Sequence, residues 1–309
     1  MRVVFAGTPD PAVPSLRALA ASRHEVVGVV TRRDAPLGRK RVLTPSPVAA
    51  AAGELGLPVI KTDRLDADAT AAISALEPDL GVIVAYGGLV REPLLSAPAH
   101  GWINLHFSLL PRWRGAAPVQ HALIAGDRVT GAAVFQLVPE LDAGDVFDEL
   151  RSEVPAGATA GDLLATLAAD GASLVTRVVD GIAAGTARAV AQAGEPTLAP
   201  KLTIADGALD FREPAVRVLD RFRGTTPEPG AHASLGGQRL KVLAATAGPD
   251  ADLPPGRLAL LDRSVVAGTG EGTIELLTVQ PAGKGAMPAA DWWRGLRQEP
   301  QLDLPGDDR

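Results

Sequence analysis

Short apolar runs alternate with amphipathic stretches through the first half of the chain. The runs at 3–6, 26–30, 59–60, 80–85 and 103–105 are β-branched or continuously apolar and bounded by glycine, proline or charge, which predicts strands. Between them, 14–21, 48–55 and 67–76 carry apolar positions at helical spacing. Strands alternating with helices predict a parallel sheet wound by right-handed crossovers. Two further strand-like stretches follow at 131–138 and 146–154, and a long Ala/Leu helix is expected from about 159 to 182, ending at Gly185.

Beyond this helix the pattern changes. Residues 186–206 lose periodicity and contain Gly194, Pro196 and Pro200, as a linker would. A helix-like segment at 213–223 then precedes short strands at 239–245, 256–261, 265–267 and 273–278, separated by turn residues. Closely spaced strands with Gly-rich turns predict a small β-barrel of the OB kind. Trp292 and Trp293 fall on a short final helix, and the acidic, proline-containing tail is expected to fray. The expected organisation is therefore α/β: a Rossmann-like parallel-sheet domain over 1–187, a linker over 188–206, and a C-terminal OB-like β-barrel domain over 207–309.

Composition agrees with this and narrows it. A chain of 309 residues suffices for two domains, and 46% hydrophobic against 21% charged residues is the balance of a soluble globular protein. No run approaches the ~18 apolar residues that span a bilayer. The opening Met1-Arg2-Val3-Val4-Phe5-Ala6-Gly7 turns too early for a secretory signal. The chain has no cysteine, which excludes disulfides, thiolate nucleophiles and cysteine-ligated zinc. A cytoplasmic protein is expected. Neither domain shows an apolar interface stripe, so a monomer is expected too.

Net charge is -6 and neither half is basic, which argues against a protein that coats nucleic acid over its whole surface. One loop departs from the average: residues 31–48 hold Arg32, Arg33, Arg39, Lys40 and Arg41 against Asp34 alone. A cluster of that size suits a focused contact with a polyanion, although by itself it reads more readily as a solvated loop. The opening Gly7-Thr8-Pro9 sits where a dinucleotide fold would place its glycine-rich turn. Only one of those glycines is present, and Pro9 lacks a backbone donor.

Chemistry concentrates around 101–118. On a strand, Asn104 and His106 are two apart, so both side chains leave the same face, at the strand end where open α/β sheets bind ligands. An amide donor beside an imidazole supplies two parts of an acyl-transfer site: one stabilises an oxyanion and the other moves protons. A polar strand end bonded to its own loop would explain the pair equally well. Asp142, in Pro139-Glu140-Leu141-Asp142-Ala143-Gly144-Asp145, is a third candidate. A carboxylate near His106 would orient the ring and favour its protonated form, yet acidic residues in turns are ordinarily turn formers. No cluster has metal-ligand spacing, and no metal is expected.

Together these residues resemble the folate-dependent formyltransferases. The resemblance rests on Asn104-x-His106-x-Ser108-Leu109-Leu110-Pro111, then Gly115-Ala116-Ala117-Pro118, then Leu141-Asp142-x-Gly144-Asp145. It extends to Val4-Phe5-Ala6-Gly7-Thr8-Pro9-Asp10, Gly38-Arg39, Pro45-Ser46-Pro47-Val48, Val84-Ala85-Tyr86-Gly87, Ala199-Pro200-Lys201-Leu202 and 277–284, in order through nearly the whole chain. The wider match is similar to the branch of the family that formylates initiator methionyl-tRNA. The resemblance implies that Asn104, His106 and Asp142 are catalytic and that Ser108, Leu109, Leu110 and Pro111 line a tetrahydrofolate site. It implies N10-formyltetrahydrofolate as co-substrate and initiator methionyl-tRNA as acceptor. The basic loop with Arg39, Lys40 and Arg41, together with Lys201 and the C-terminal barrel, would then hold the tRNA. Phe107 stands where the family pattern has glycine. Other formyl-group enzymes would share the same three catalytic residues, and a tRNA-binding factor with vestigial residues is the reading from another class.

Overall fold

The computed structural model describes residues 1–38, 40–296 and 300–304. Two compact units are formed: the first comprises Met1–Pro118, Val129–Glu153 and Leu164–Pro200, the second Val119–Arg128, Val154–Leu163 and Lys201–Arg309. In chain order the first half supplies β1 (Arg2–Gly7), α1 (Val13–Ala20), β2 (Glu25–Thr31), β3 (Ala35–Leu37), β4 (Val42–Thr44), α2 (Pro47–Glu54) and β5 (Val59–Lys61). It continues with α3 (Ala67–Ser74), β6 (Leu80–Val84), β7 (Trp102–His106), α4 (Pro118–Ala125), β8 (Val129–Gln136), β9 (Val146–Glu153) and α5 (Ala160–Ala183).

Seven strands form one sheet in the order β5-β2-β1-β6-β7-β8-β9. The first five are mutually parallel, as the alternation of strands and helices predicts. β8 and β9 run antiparallel to their neighbours. Nine residues join them, which is enough to reverse the chain but too short for a parallel crossover. Ser46 caps α2 and Asp66 caps α3, each side chain accepting the backbone N–H three residues on. Three elements escape the sequence pattern. α4 starts at Pro118 within a stretch that carries no clear period, and β3 and β4 pair as a small exposed hairpin inside the basic loop.

β7 positions two of the candidate residues, Asn104 and His106. Its sequence alternates, so Leu105 faces α5, where a Cβ on Gly171 would lie 2.8 Å from the Leu105 side chain. Trp102, Asn104 and His106 leave the other face. Trp102 is fully buried over Gly81, whose missing side chain makes room for the indole.

The second unit adds α6 (Ala215–Gly224), β10 (His232–Leu235), β11 (Gln238–Ala247), β12 (Leu258–Leu261), β13 (Ser264–Gly268), β14 (Thr273–Pro281), β15 (Met287–Pro288) and α7 (Ala289–Arg294). Its antiparallel sheet has the order β10-β11-β14-β13-β12, with β15 on β14, and two register shifts between Val242 and Ala245 curl β11. This is the OB-like curled sheet that the spacing of strands predicts. The tail corrects one expectation. Residues 300–304 do not fray: Asp303 N donates to Ser234 O (2.9 Å) and Leu302 N to Gly256 O (2.8 Å), so the segment joins the β10 edge to the start of β12. Leu302 is buried in the barrel core, and the Asp303 carboxylate accepts from Ser234 Oγ and from the N–H groups of Gly236 and Gly237. Hydrophobic patterning misses such a segment because two leucines, Leu302 and Leu304, anchor it without a longer periodic run.

Residues 190–199 are likewise tied down. Val190 exchanges two backbone hydrogen bonds with Val146, and 197–199 bond to 111–117, all within the first unit. These are isolated bridges with no side-chain period, so the sequence reads them as linker.

Candidate active site

Asn104 and His106 sit near the C-terminal end of β7, paired across the strand with Phe135 and Ala133 of β8. Phe135 lies on the same face and meets the His106 ring edge-on, at 6.3 Å between centroids and 85° between planes. It is wholly buried with Leu110 and Ala133, so the imidazole rests on a fixed apolar support. His106 itself is only 5% exposed. Its Nε2 lies 2.8 Å from the carbonyl oxygen of Trp113. A carbonyl can only accept, so Nε2 carries the hydrogen and the neutral ring presents its lone pair at Nδ1.

That lone pair faces Asp142. The Nδ1 to Oδ2 distance is 3.8 Å, within ion-pair range and beyond a direct hydrogen bond. The same Asp142 oxygen accepts the backbone N–H of Gly115 at 2.7 Å. Burial pushes the His106 pKa below its ordinary value, while the Asp142 charge and the Trp113 carbonyl pull the other way. Burial dominates, so the resting ring is neutral at pH 7. The loops that hold the pair are unusual in backbone: Trp113 has φ 62° and Asp142 φ 46°, both in the left-handed region that costs non-glycine residues about 1–3 kcal/mol. Such conformations persist where the surrounding structure over-determines them.

Asn104 is half-buried, and among the described residues none bonds its side-chain amide. The site therefore brings together an uncommitted amide, a neutral imidazole with Nδ1 open and a carboxylate beside it. Of the three residues singled out in the sequence, Asn104 and His106 share one face of β7 and Asp142 approaches His106.

The Ser108-Leu109-Leu110-Pro111 segment forms the turn after β7. Ser108 is fully buried and its hydroxyl donates to the Arg112 carbonyl at 2.6 Å, so it shapes this turn from inside. Leu110 packs on Phe135, and Leu109 is half-buried. Phe107 is buried immediately after the strand. In the basic loop Lys40 and Arg41 are exposed beside the equally exposed Leu37, Val42 and Leu43 of the hairpin, whereas Arg39 lies outside the described residues. Lys201 is exposed at the start of the second unit's C-terminal portion. Sequence reasoning missed Gln192, which bonds to the Asp142 loop, and Arg114, which bonds to Gln192. On the loop the partners are backbone carbonyls, which leave no trace in a sequence. Among the described residues no group of three or more His, Cys, Asp or Glu is placed to hold a metal ion.

The formyl transferase family matches residues 1–179, and the formyl transferase C-terminal domain matches residues 201–297. A methionyl-tRNA formyltransferase of Leifsonia xyli subsp. xyli is 63% identical over 98% of this chain and 100% of its own length. That of Clavibacter sepedonicus is 64% identical over 96% of this chain and 97% of its own. The chain belongs to the methionyl-tRNA formyltransferase family. Among solved structures, an N-formyltransferase from Helicobacter canadensis, in complex with folinic acid and dTDP-3-aminofucose, superposes with a TM-score of 0.68 at 15% identity, covering 90% of this chain and 98% of that one. At that identity the likeness speaks for the shared fold alone.

Proposed function

We propose that Asn104, His106 and Asp142 are the residues with which this member of the methionyl-tRNA formyltransferase family moves the formyl group of N10-formyltetrahydrofolate to the α-amino group of methionyl initiator tRNA. The observation that carries the reading is that Asn104 and His106 leave one face of β7, with the Asn104 amide uncommitted and His106 Nδ1 open towards Asp142 of the β8–β9 loop.

The co-substrate supplies a formyl carbon bonded to a nitrogen that can leave. The neutral α-amine, with a pKa near the ~7.7–8.0 of an α-amino group or somewhat lower, forms the new C–N bond as the carbonyl electron pair moves onto oxygen. Asn104 donates to that oxygen, and one such donor is worth roughly 100- to 1,000-fold in rate. His106 Nδ1 accepts the proton of the attacking nitrogen, which converts the ring to imidazolium beside the Asp142 carboxylate. The imidazolium supports the tetrahedral intermediate with Asn104, then delivers the proton to the departing folate nitrogen as that C–N bond breaks. His106 thus acts as base first and acid second. Asp142 holds the charge that appears between the two steps.

Ser108, Leu109, Leu110 and Pro111 line the folate side of this reading: half-buried Leu109 offers apolar surface, while buried Leu110 and Pro111 and the Ser108 hydroxyl fix the turn. Arg39, Lys40, Arg41 and Lys201 provide positive charge for the tRNA backbone. Initiator tRNA is used in the cytoplasm, which is the compartment this reading assigns. Among the described residues no helix is long and apolar enough to cross a membrane.

Transfer of labelled formyl from N10-formyltetrahydrofolate, offered in parallel to methionyl initiator tRNA, glycinamide ribonucleotide and water, tests the reading. Label in the charged tRNA alone is expected. Label in another acceptor instead would refute the tRNA assignment, and no transfer by folded protein that still binds tRNA would refute the enzymatic one.

A further inference from the structure

The strap at 190–199 has no part in the steps above, yet it is bonded to both loops that hold the catalytic side chains. At one end Val190 N donates to Val146 O and Val146 N to Val190 O, at 2.9 and 2.8 Å. At the other, Thr197 N donates to Pro111 O, Arg114 N to Thr197 O, Ala199 N to Arg114 O and Ala117 N to Ala199 O. Thr197 Oγ1 also accepts the backbone N–H of Trp113 at 2.9 Å, and Trp113 is the residue whose carbonyl holds His106. Between these anchors lies Gln192. Its Nε2 donates to the carbonyl oxygens of Asp142 and Gly144, both at 2.8 Å. Its Oε1 accepts from Arg114 Nε at 3.1 Å and Nη2 at 2.6 Å.

We propose that Gln192, paired with Arg114, is a positioning residue for formyl transfer: it clamps the Asp142 loop to the 113–115 segment and so sets the distance between the Asp142 carboxylate and His106. The inference rests on the catalytic roles given to those two residues above. Asp142 and Trp113 both hold left-handed backbones, which the structure around them must maintain. The Gln192 amide reaches both of their neighbourhoods at once. Its two donors are engaged on the Asp142 loop, and its acceptor is engaged on the guanidinium next to Trp113. A glutamate of the same length would keep the Arg114 pairing but place oxygen against two carbonyl oxygens. An alanine would remove both ties. The bond from Gly115 N to Asp142 Oδ2 would still join the carboxylate to the 113–115 segment, but the backbone of the Asp142 loop would lose its tie to Arg114 through Gln192.

The experiment compares kcat, KM and the pH profile of kcat for wild type, Gln192→Ala, Gln192→Glu, Asp142→Asn and the Asp142→Asn/Gln192→Ala double variant, with bound folate counted per chain to correct for inactive protein. Misplacing a reacting group by about 1 Å costs on the order of 100-fold. The two Gln192 variants are therefore expected to lose about 10- to 100-fold in kcat, with KM for both substrates near wild type. The acid limb of the kcat profile should move in Gln192→Ala, and the double variant should be no slower than Asp142→Asn. Retention of wild-type kcat and pH profile in Gln192→Ala would overturn the proposal. So would losses that multiply in full in the double variant, or an unaltered kcat per folate-binding chain accompanied only by a lower Tm. Near-normal turnover in Asp142→Asn would instead reject the catalytic assignment on which the proposal rests.

Discussion

His106 shows how a single residue is tuned by where the chain puts it. Buried against Phe135, with Nε2–H directed at the Trp113 carbonyl, it has one free nitrogen and a depressed pKa. The unfolded chain restores the ordinary value of about 6.5, so between that value and the lower folded one the unfolded state binds more protons. Stability contributed by the neutral ring is complete above pH ~6.5 and is lost as pH falls towards the folded pKa. The advantage of wild type over His106→Asn in urea unfolding should therefore shrink as pH falls from about 7.5 to about 5. Parallel stability curves for the two proteins would contradict a neutral buried ring. Asn104 and His106 are legible in the sequence because strand alternation alone puts them on one face. Asp142 is legible from its residues only as a candidate indistinguishable from a turn former, since its loop has no period, and the resemblance is what singles it out. Gln192 is not legible at all, because nothing in its neighbours reveals that its amide will meet two carbonyls some fifty residues earlier.

At the scale of elements, the strands and helices of the first unit follow from hydrophobic spacing, while the segments that complete the site do not. The turn after β7, the Asp142 loop and the 190–199 strap are held by backbone hydrogen bonds between irregular segments. Gly144 marks how closely they approach: a Cβ there would lie 1.7 Å from the Gln136 carbonyl oxygen. This is a physical reason for glycine two residues after Asp142. Gly144→Ala must displace the loop that carries the aspartate. The expected cost is about 1–3 kcal/mol of stability, read as a lower Tm, together with at least about a tenfold loss of transfer. A Gly144→Ala protein with wild-type Tm and activity would show that the loop moves freely. The hairpin in the basic loop escapes the sequence pattern because its two strands are three residues each and largely exposed.

At the scale of the molecule, an acidic chain carries a local basic hairpin and a curled second sheet, features expected when a polyanion is held at chosen places and released elsewhere. Changing Arg39, Lys40 and Arg41 together to alanine should weaken tRNA binding and flatten its salt dependence, by about 0.7–0.9 in log–log slope for each phosphate no longer neutralised. An unchanged slope would remove the hairpin from the tRNA site. The barrel-like second unit follows from strand spacing. Its closing segment does not, since burial of Leu302 and the Asp303 hydrogen bonds depend on the curled sheet already being there. The most direct test of the proposed catalytic triad is single-turnover transfer of labelled formyl to methionyl initiator tRNA by Asn104→Ala, His106→Ala and Asp142→Asn, each confirmed folded by its melting curve and shown to bind folate. Rates at least about 100-fold below wild type are expected for all three. Near-wild-type transfer by any one of them would contradict its place in the chemistry.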